Sequence, residues 1–204
     1  MQDKRLEALG VPAPARPGIQ RWLDLLREWN ARMDLTAARG DDELFDLMLA
    51  DAVTLSSHVP QGARVVDVGC GAGAPGLALA LARPDLKVTL VEPLAKRVAF
   101  LRTVLGTIGR TDIELVREKG EATAARSPDG WDVAISRATL APAAWIPLGL
   151  RLAPTAWALL AREEAPEIEG ATRHEPIAYE WPLTKAARRA VRYDRGRGVP
   201  CATS

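Results

Sequence analysis

The sequence predicts an α/β fold: a mostly parallel sheet with helices on both faces, an antiparallel strand pair at one edge, and a cap of helices ahead of the sheet. Three observations carry that expectation. β-Branched runs alternate with helix-forming stretches between residues 64 and 161, the arrangement that gives parallel strands joined by helices. Three glycines follow directly on the first of those runs. The first 60 residues carry helical periodicity and no strand-like alternation. The expected division is a helical cap over 1–60 and a sheet domain over 61–204, in one compact unit. A chain of 204 residues can bury a core without disulfides or metal.

In chain order, the first eighteen residues hold Pro12, Pro14, Pro17 and Gly18 and read as a short helix followed by an irregular connection. From Ile19 to Met33 the apolar residues recur at three- and four-residue spacing, placing Trp22, Leu26, Trp29 and Met33 on one face of an amphipathic helix. Core packing is the preferred reading for both tryptophans. Asp41, Asp42 and Glu43 begin a second helix that runs to Leu55, with acidic residues at its positive end. Asp51 lies in that helix, facing either the pocket or solvent. Arg64–Val68 is the first buried strand, and Leu77–Ala82 after Gly76 is strong helix former, with Pro75 tolerated at the helix start. Lys87–Val91, Ile113–Val116, Trp131–Ser136 and Trp157–Ala161 are the further parallel strands, with helices over Leu94–Leu105 and Ala143–Leu150. Arg173–Tyr179 and Ala190–Tyr193 lack helical periodicity and are expected as the antiparallel edge.

Composition excludes several classes. The formal net charge is +1, so the molecule as a whole is not a polycation that coats nucleic acid. Between Ala171 and Ser204, however, seven basic residues stand against three acidic ones, giving either a local basic face or a solvated strand and tail. Only Cys70 and Cys201 are present, which fits a reducing cytosol and no disulfide framework. The N-terminus has no apolar signal run, so a cytoplasmic protein is expected. The apolar stretch Ala138–Ala161 is interrupted by Pro142, Pro147, Arg151 and Pro154 and reads as a helix and a buried strand, not a membrane span. His58 and His174 are far apart in sequence, so no metal site is expected. No serine or cysteine triad is evident. Cys70, small and set between two glycines, is read as a residue that fits.

The chemistry-bearing stretch is Val65–Gly76. Strand, glycine turn and helix together make a nucleotide-cofactor loop, because glycine allows a sharp turn and close backbone approach to a ligand. Gly69, Gly71 and Ala74 nearly meet the dinucleotide pattern, but Asp67 two residues earlier gives Asp-x-Gly-x-Gly-x-Gly, which is more like an S-adenosylmethionine loop. Glu92 ends the next strand, where a carboxylate can accept from ribose hydroxyls of either ligand. Its alternative role is a cap ahead of Pro93. No Gly-Lys-Ser/Thr follows the glycines, which excludes a triphosphate loop.

These residues resemble one family in particular, the bacterial GidB or RsmG methyltransferases that act on guanine N7 in small-subunit ribosomal RNA. Trp29–Thr36 is similar to the family's Trp-Asn…Asn-Leu-Thr segment, and Asp51 falls where its helix carries an aspartate. Gly69–Gly76 resembles its Gly-x-Gly-x-Gly-x-Pro-Gly loop, Lys96-Arg97-Val98 with Phe100-Leu101 its Lys-Arg-Val…Phe-Leu helix, and Ser136-Arg137-Ala138 its Ser-Arg-Ala strand end. The resemblance implies a Rossmann-like S-adenosylmethionine-dependent methyltransferase fold and 16S ribosomal RNA, or the small subunit, as partner, with no membrane or metal and a monomer as the favoured state. It implies cofactor contacts from Gly69, Ala74, Gly120, Glu121 and Arg137, which join Gly71, Gly73 and Glu92 from the loop and the strand end as the expected cofactor-binding residues. The expected substrate side holds Asp51, Lys96, Arg97, Arg188, Arg189 and Arg192. The chain departs from the family pattern at Met48, Asp34 and Arg162-Glu163, all on that side. Alternatives are a relative that methylates another RNA or a small molecule, a non-catalytic RNA-binding or ribosome-assembly protein, and a nicotinamide-dependent dehydrogenase.

Overall fold

The computed structural model describes residues 2–196; Cys201 and Arg197, the last of the seven basic residues counted from Ala171 onward, lie outside the described residues. Five strands, β1 (Arg64–Val68), β2 (Lys87–Val91), β3 (Glu114–Val116), β4 (Val133–Arg137) and β5 (Thr155–Leu160), run parallel in the order β3-β2-β1-β4-β5. The strand β8 (Ala187–Arg195) pairs antiparallel with β5. Along its other side β8 carries β6 (Ala171–Arg173) and then β7 (Ile177–Glu180), both antiparallel. The antiparallel edge is therefore present, but the stretch expected as one strand from Arg173 is broken in two. Pro176 sits in the gap, and proline has no N–H to give to a ladder.

Near-continuous apolar runs make parallel strands because both faces are covered. In β1, Val65 packs into the core under the N-terminal helices while Val66 and Val68 face the opposite core. The first face carries α1 (Gln2–Ala8), α2 (Arg16–Met33), α3 (Asp41–Phe45), α4 (Asp51–Ser56), α5 (Gly76–Ala82) and α6 (Ala95–Ile108). A π-turn over Asp46–Ala50 joins α3 to α4 in one continuous helix. The second face carries α7 (Gly120–Arg126) and α8 (Pro142–Leu152). One apolar cluster runs from Leu6 and Trp22 through Phe45 and Leu77 to Phe100 and Trp157. That cluster includes residues on both sides of residue 60.

The α2 helix starts at Arg16, earlier than its apolar period suggests, because Pro17 occupies a first-turn position where no N–H is needed. The short α7 helix was not expected from the pattern. Its seven residues carry only two buried side chains, Thr123 and Ala124, besides Gly120, too few to show a period. Trp22 is fully buried and Trp29 packs on Phe100 with ring centroids 5.6 Å apart, so both tryptophans pack.

Candidate active site

The carboxyl ends of β1, β2 and β4 converge on the glycine loop, where open parallel sheets bind ligands. Gly69 and Gly71 have φ of +72° and +59°, the left-handed region that side chains disfavour. A Cβ on Gly69 would stand 2.2 Å from Thr139 Oγ1, whereas one on Gly71 would meet only the Gly69 carbonyl at 4.0 Å and so project into open space. At the far end of the loop, a Cβ on Gly76 would lie 2.6 Å from Asp67 Cβ. The close approach lets the Gly76 N–H donate to Asp67 Oδ2 at 2.7 Å. Trp22 donates its indole N–H to the Ala72 carbonyl at 3.0 Å, so α2 braces the loop from behind.

A cleft of about 520 Å³ opens in front of these glycines. Gly69, Gly71 and Ala74 line it, with Glu92 and Arg97 on one side and Leu35, Thr36 and Arg137–Thr139 on the other. The Asn30 side chain accepts from the N–H groups of Leu35 (2.7 Å) and Thr36 (2.9 Å), fixing the segment after α2 as a wall. Glu92 is buried, with Oε2 accepting the Gly71 N–H and Oε1 the Leu94 N–H, both at 2.9 Å. The cap role is therefore real, yet each carboxylate oxygen has a second acceptor site. Arg97 comes within 3.7 Å of Glu92 Oε2, and its buried Nε has no hydrogen-bond partner.

Asp67 lies fully buried beneath the loop, its Oδ1 without a partner. Burial, partly offset by the Gly76 N–H and Arg137, pushes its carboxyl up to about 7. Cys70 is buried and its thiol is raised, first by burial and then by Asp67 and Glu92, which removes it as a nucleophile.

Beyond the wall at Leu47 and Arg137–Thr139 lies a second cavity of about 510 Å³. Trp145, Ala158 and Leu160 give it an apolar lining, and Asp51, Tyr179, Glu163 and Arg188 supply its polar groups. Asp51 is buried here. It accepts from Arg137 Nη1 at 2.9 Å, Tyr179 Oη at 2.8 Å and Trp181 Nε1 at 2.8 Å, and Arg137 Nη1 also donates to the Leu47 carbonyl. Burial first, and the neighbouring Asp51 next, push the Tyr179 phenol upward, so it stays a neutral donor. Five residues earlier on the same continuous helix, Asp46 accepts from the Leu183 and Thr184 N–H groups and the Thr184 hydroxyl. The cap helix thus clasps the β7–β8 hairpin through two buried aspartates.

Several expected substrate-side positions fall elsewhere. Lys96 Nζ donates to the Met33 carbonyl at 2.9 Å, tying α6 to the end of α2, where a cation suits the helix dipole. Arg97 lines the cleft in front of the glycines. The three arginines of β8 expected on the substrate side do not form one patch. Arg188 lies over the Trp181 ring at 3.7 Å, Arg189 donates to the Glu163 carbonyl, and Arg192 pairs with Asp194. Alternation along the strand sends Arg189 to the face opposite Arg188 and Arg192. Gly120 packs against Val68, where a Cβ would come within 2.6 Å of Val68 Cγ1, and Glu121 is exposed. Neither lines the two cavities described. Asn30, Trp22, Asp46, Thr139, Tyr179 and Trp181 were not foreseen. The i, i+2 spacing of Tyr179 and Trp181, which points both side chains one way from an extended segment, was the legible signal for that pair.

A family model described as GidB, rRNA small subunit methyltransferase G, matches residues 16–178. The chain belongs to that family. Among named relatives, ribosomal RNA small subunit methyltransferase G of Anaeromyxobacter dehalogenans (strain 2CP-C) is 36% identical over 203 residues, covering 93% of this chain and 94% of the relative. The protein of the same name from Yersinia pseudotuberculosis (serotype O:3, strain YPIII) is 38% identical over 138 residues, 67% of this chain and 66% of that one. Solved structures share the fold at low identity. TrmN from Thermus thermophilus superposes with a TM-score of 0.56 at 18% identity, over 81% of this chain and 53% of that one. A variant of MtNAS in complex with S-adenosylmethionine gives 0.54 at 15%, over 95% and 71%. The family's Rossmann-like methyltransferase architecture is the one described above. Among the described residues no helix is long and apolar enough to cross a membrane, and no group of three or more potential ligands stands where it could hold a metal ion.

Proposed function

We propose that this protein transfers the methyl group of S-adenosylmethionine to N7 of a guanine in 16S ribosomal RNA. The observation that carries the reading is a pair of cavities sharing one wall, Leu47 and Arg137–Thr139, at the carboxyl ends of β1 and β4 in a chain of the methyltransferase G family. The cleft fits the cofactor on its own chemistry. Gly71 presents an open Cα, and Glu92 keeps acceptor capacity for two ribose hydroxyls. The backbone of Gly69, Gly71 and Ala74 would hold the cofactor's amino-acid end; Gly73, expected with them, does not line the cleft but faces Trp22 and Leu77, its N–H donating to the Cys70 carbonyl at 2.7 Å, and Gly120 and Glu121 at the head of α7 are assigned to the adenine by family resemblance.

When bound in this cleft, S-adenosylmethionine would supply an electrophilic methyl, which N7 would take as the carbon–sulfur bond breaks and the electron pair stays on sulfur. N7 attacks with its own lone pair, so the protein need not remove a proton. Its task is to hold the acceptor in line, about 3–3.5 Å from the methyl, and to exclude water. Charge must also be managed, because one positive charge passes from sulfur to the purine. A bare guanidinium at Arg137 would oppose that charge on both sides of the wall. Asp51 at 2.9 Å cancels it, leaving Arg137 as a rigid, neutral-paired positioning group. N7 lies deep in A-form RNA, so the acceptor base is taken unpaired or extruded.

The test is transfer of labelled methyl to small ribosomal subunits from cells lacking the family enzyme, followed by mapping of the modified nucleotide. Label on guanine N7 of 16S RNA is expected. No label on particles or naked RNA, with cofactor binding intact, would redirect the reading to a different acceptor.

A further inference from the structure

The cavity beyond Arg137 contains two charged groups that the proposed transfer has not used, Glu163 and Arg188. Trp181 is buried, and the Arg188 guanidinium lies 3.7 Å from its ring centroid. An arginine backed by an indole keeps its plane fixed and offers its other face to a second flat ring. Glu163 follows the end of β5, and its Oε2 accepts from the N–H groups of Ala161 (2.9 Å) and Arg162 (3.0 Å). Even with these amides and its own N–H, a carboxylate has further acceptor sites to offer a ligand. The N–H groups of Glu163 itself, Ala161 and Arg162, aided by Arg188, hold this carboxyl below its usual range, so it is an anionic acceptor at neutral pH.

We propose that this cavity seats the acceptor guanine, its ring stacked on the Arg188–Trp181 pair and its Watson–Crick edge turned to Glu163, making Glu163 the residue that selects guanine. The assignment rests on the guanine-N7 reading above. Guanine carries donors at N1 and N2, whereas adenine presents an acceptor at N1, which a carboxylate repels. A site built around such a donor–acceptor match discriminates far more sharply than one built on shape alone. The contact also belongs to the reaction. As N7 gains its methyl, positive charge spreads over the purine and N1–H becomes more acidic. A hydrogen bond to an anionic acceptor then strengthens on the way to the transition state, and only such differential binding raises kcat. Glu163 at the same time offsets the charge of Arg188 beside a base that turns cationic.

The test compares the wild type with Glu163→Gln and Arg188→Lys, both folded by circular dichroism. Saturation-transfer NMR with guanosine or adenosine monophosphate, in the presence of S-adenosylhomocysteine, reads the base pocket without needing RNA. The wild type is expected to favour the guanine nucleotide, and each variant to weaken it at least about fivefold, as loss of a charge-assisted hydrogen bond or a stacking contact would. In methyl transfer, Glu163→Gln should lower kcat about tenfold with S-adenosylhomocysteine affinity held within about twofold. If both variants bind guanosine monophosphate and transfer methyl as the wild type does, the pocket assignment is overturned even where guanine N7 is labelled. If the wild type labels no ribosomal RNA but its guanine preference is lost in both variants, the pocket assignment stands and the ribosomal reading falls.

Discussion

Replacing Asp51 by alanine removes the one acceptor shared by Arg137, Tyr179 and Trp181. Arg137 keeps its bond to the Leu47 carbonyl, and Tyr179, half-buried, can turn its hydroxyl toward water. Trp181 is buried and its indole N–H has no such escape. Breaking a buried ion pair costs about 3–5 kcal/mol, and a stranded neutral donor about 1–3 kcal/mol. Allowing for the two partial rescues, Asp51→Ala should cost about 4 kcal/mol, equivalent to a fall in Tm of about 8–16 °C for a chain of this size. Asp51→Asn retains one acceptor oxygen and should lose about half as much. Urea denaturation followed by far-UV circular dichroism measures both. Because Asp51 lines the second cavity and not the cleft before the glycines, methyl transfer should fall more than cofactor affinity does. A loss of stability below about 1 kcal/mol for Asp51→Ala would refute the view that this carboxylate clasps the hairpin to the cap.

Gly71→Asp should fold with a penalty of about 1–2 kcal/mol for a left-handed residue, since its Cβ meets open space. Its carboxylate would enter the cleft beside Glu92, so calorimetry should show cofactor binding weakened more than about tenfold, and unaltered binding would remove the loop from the cofactor site. Asp67 gives a pH signature. Its carboxyl is raised from 3.8 to about 7 in the fold, so between those values the folded chain keeps a proton that the unfolded chain has released. That contribution to stability is complete below the unfolded value and is lost as pH rises through about 7. Asp67→Asn cannot titrate, and the stability of wild type relative to this variant should fall by about 2–4 kcal/mol between pH 5 and pH 8; a flat difference in denaturation midpoints would show that Asp67 is charged throughout. Trp22→Phe deletes the hydrogen bond to the Ala72 carbonyl and should raise the cofactor dissociation constant several-fold, about what one such bond is worth; unchanged affinity would mean the loop holds its shape without the brace.

The parallel strands were legible because a strand covered on both faces needs an unbroken apolar run, and Arg64–Val68 and Lys87–Val91 announce themselves that way. The glycine loop was legible for a steric reason: few sequences other than one rich in glycine can turn so tightly in front of a ligand. The β8 arginines were the least readable. Three basic residues within five positions suggest one patch, but strand alternation and an acidic neighbour separate them. Lys96 misled for a similar reason, since a lysine at a helix start gives no hint of the carbonyl it reaches across the fold.

The sequence by itself determined the parallel strands, the glycine loop and Glu92 after the second strand, because each depends on neighbours within about twenty residues, and it determined the family through several such short segments together. Only the tertiary structure decided the partners of Asp51. Its helix comes before the first strand, and the Tyr179 and Trp181 that it binds lie more than 120 residues later, brought back by β8 pairing against β5. Only the tertiary structure divided the carboxyl end of the sheet into two cavities with Arg137 in the wall between them. Local propensity sets which segments become strands and turns, whereas the direction of a buried polar side chain is set by whichever distant donor the closed fold leaves without water.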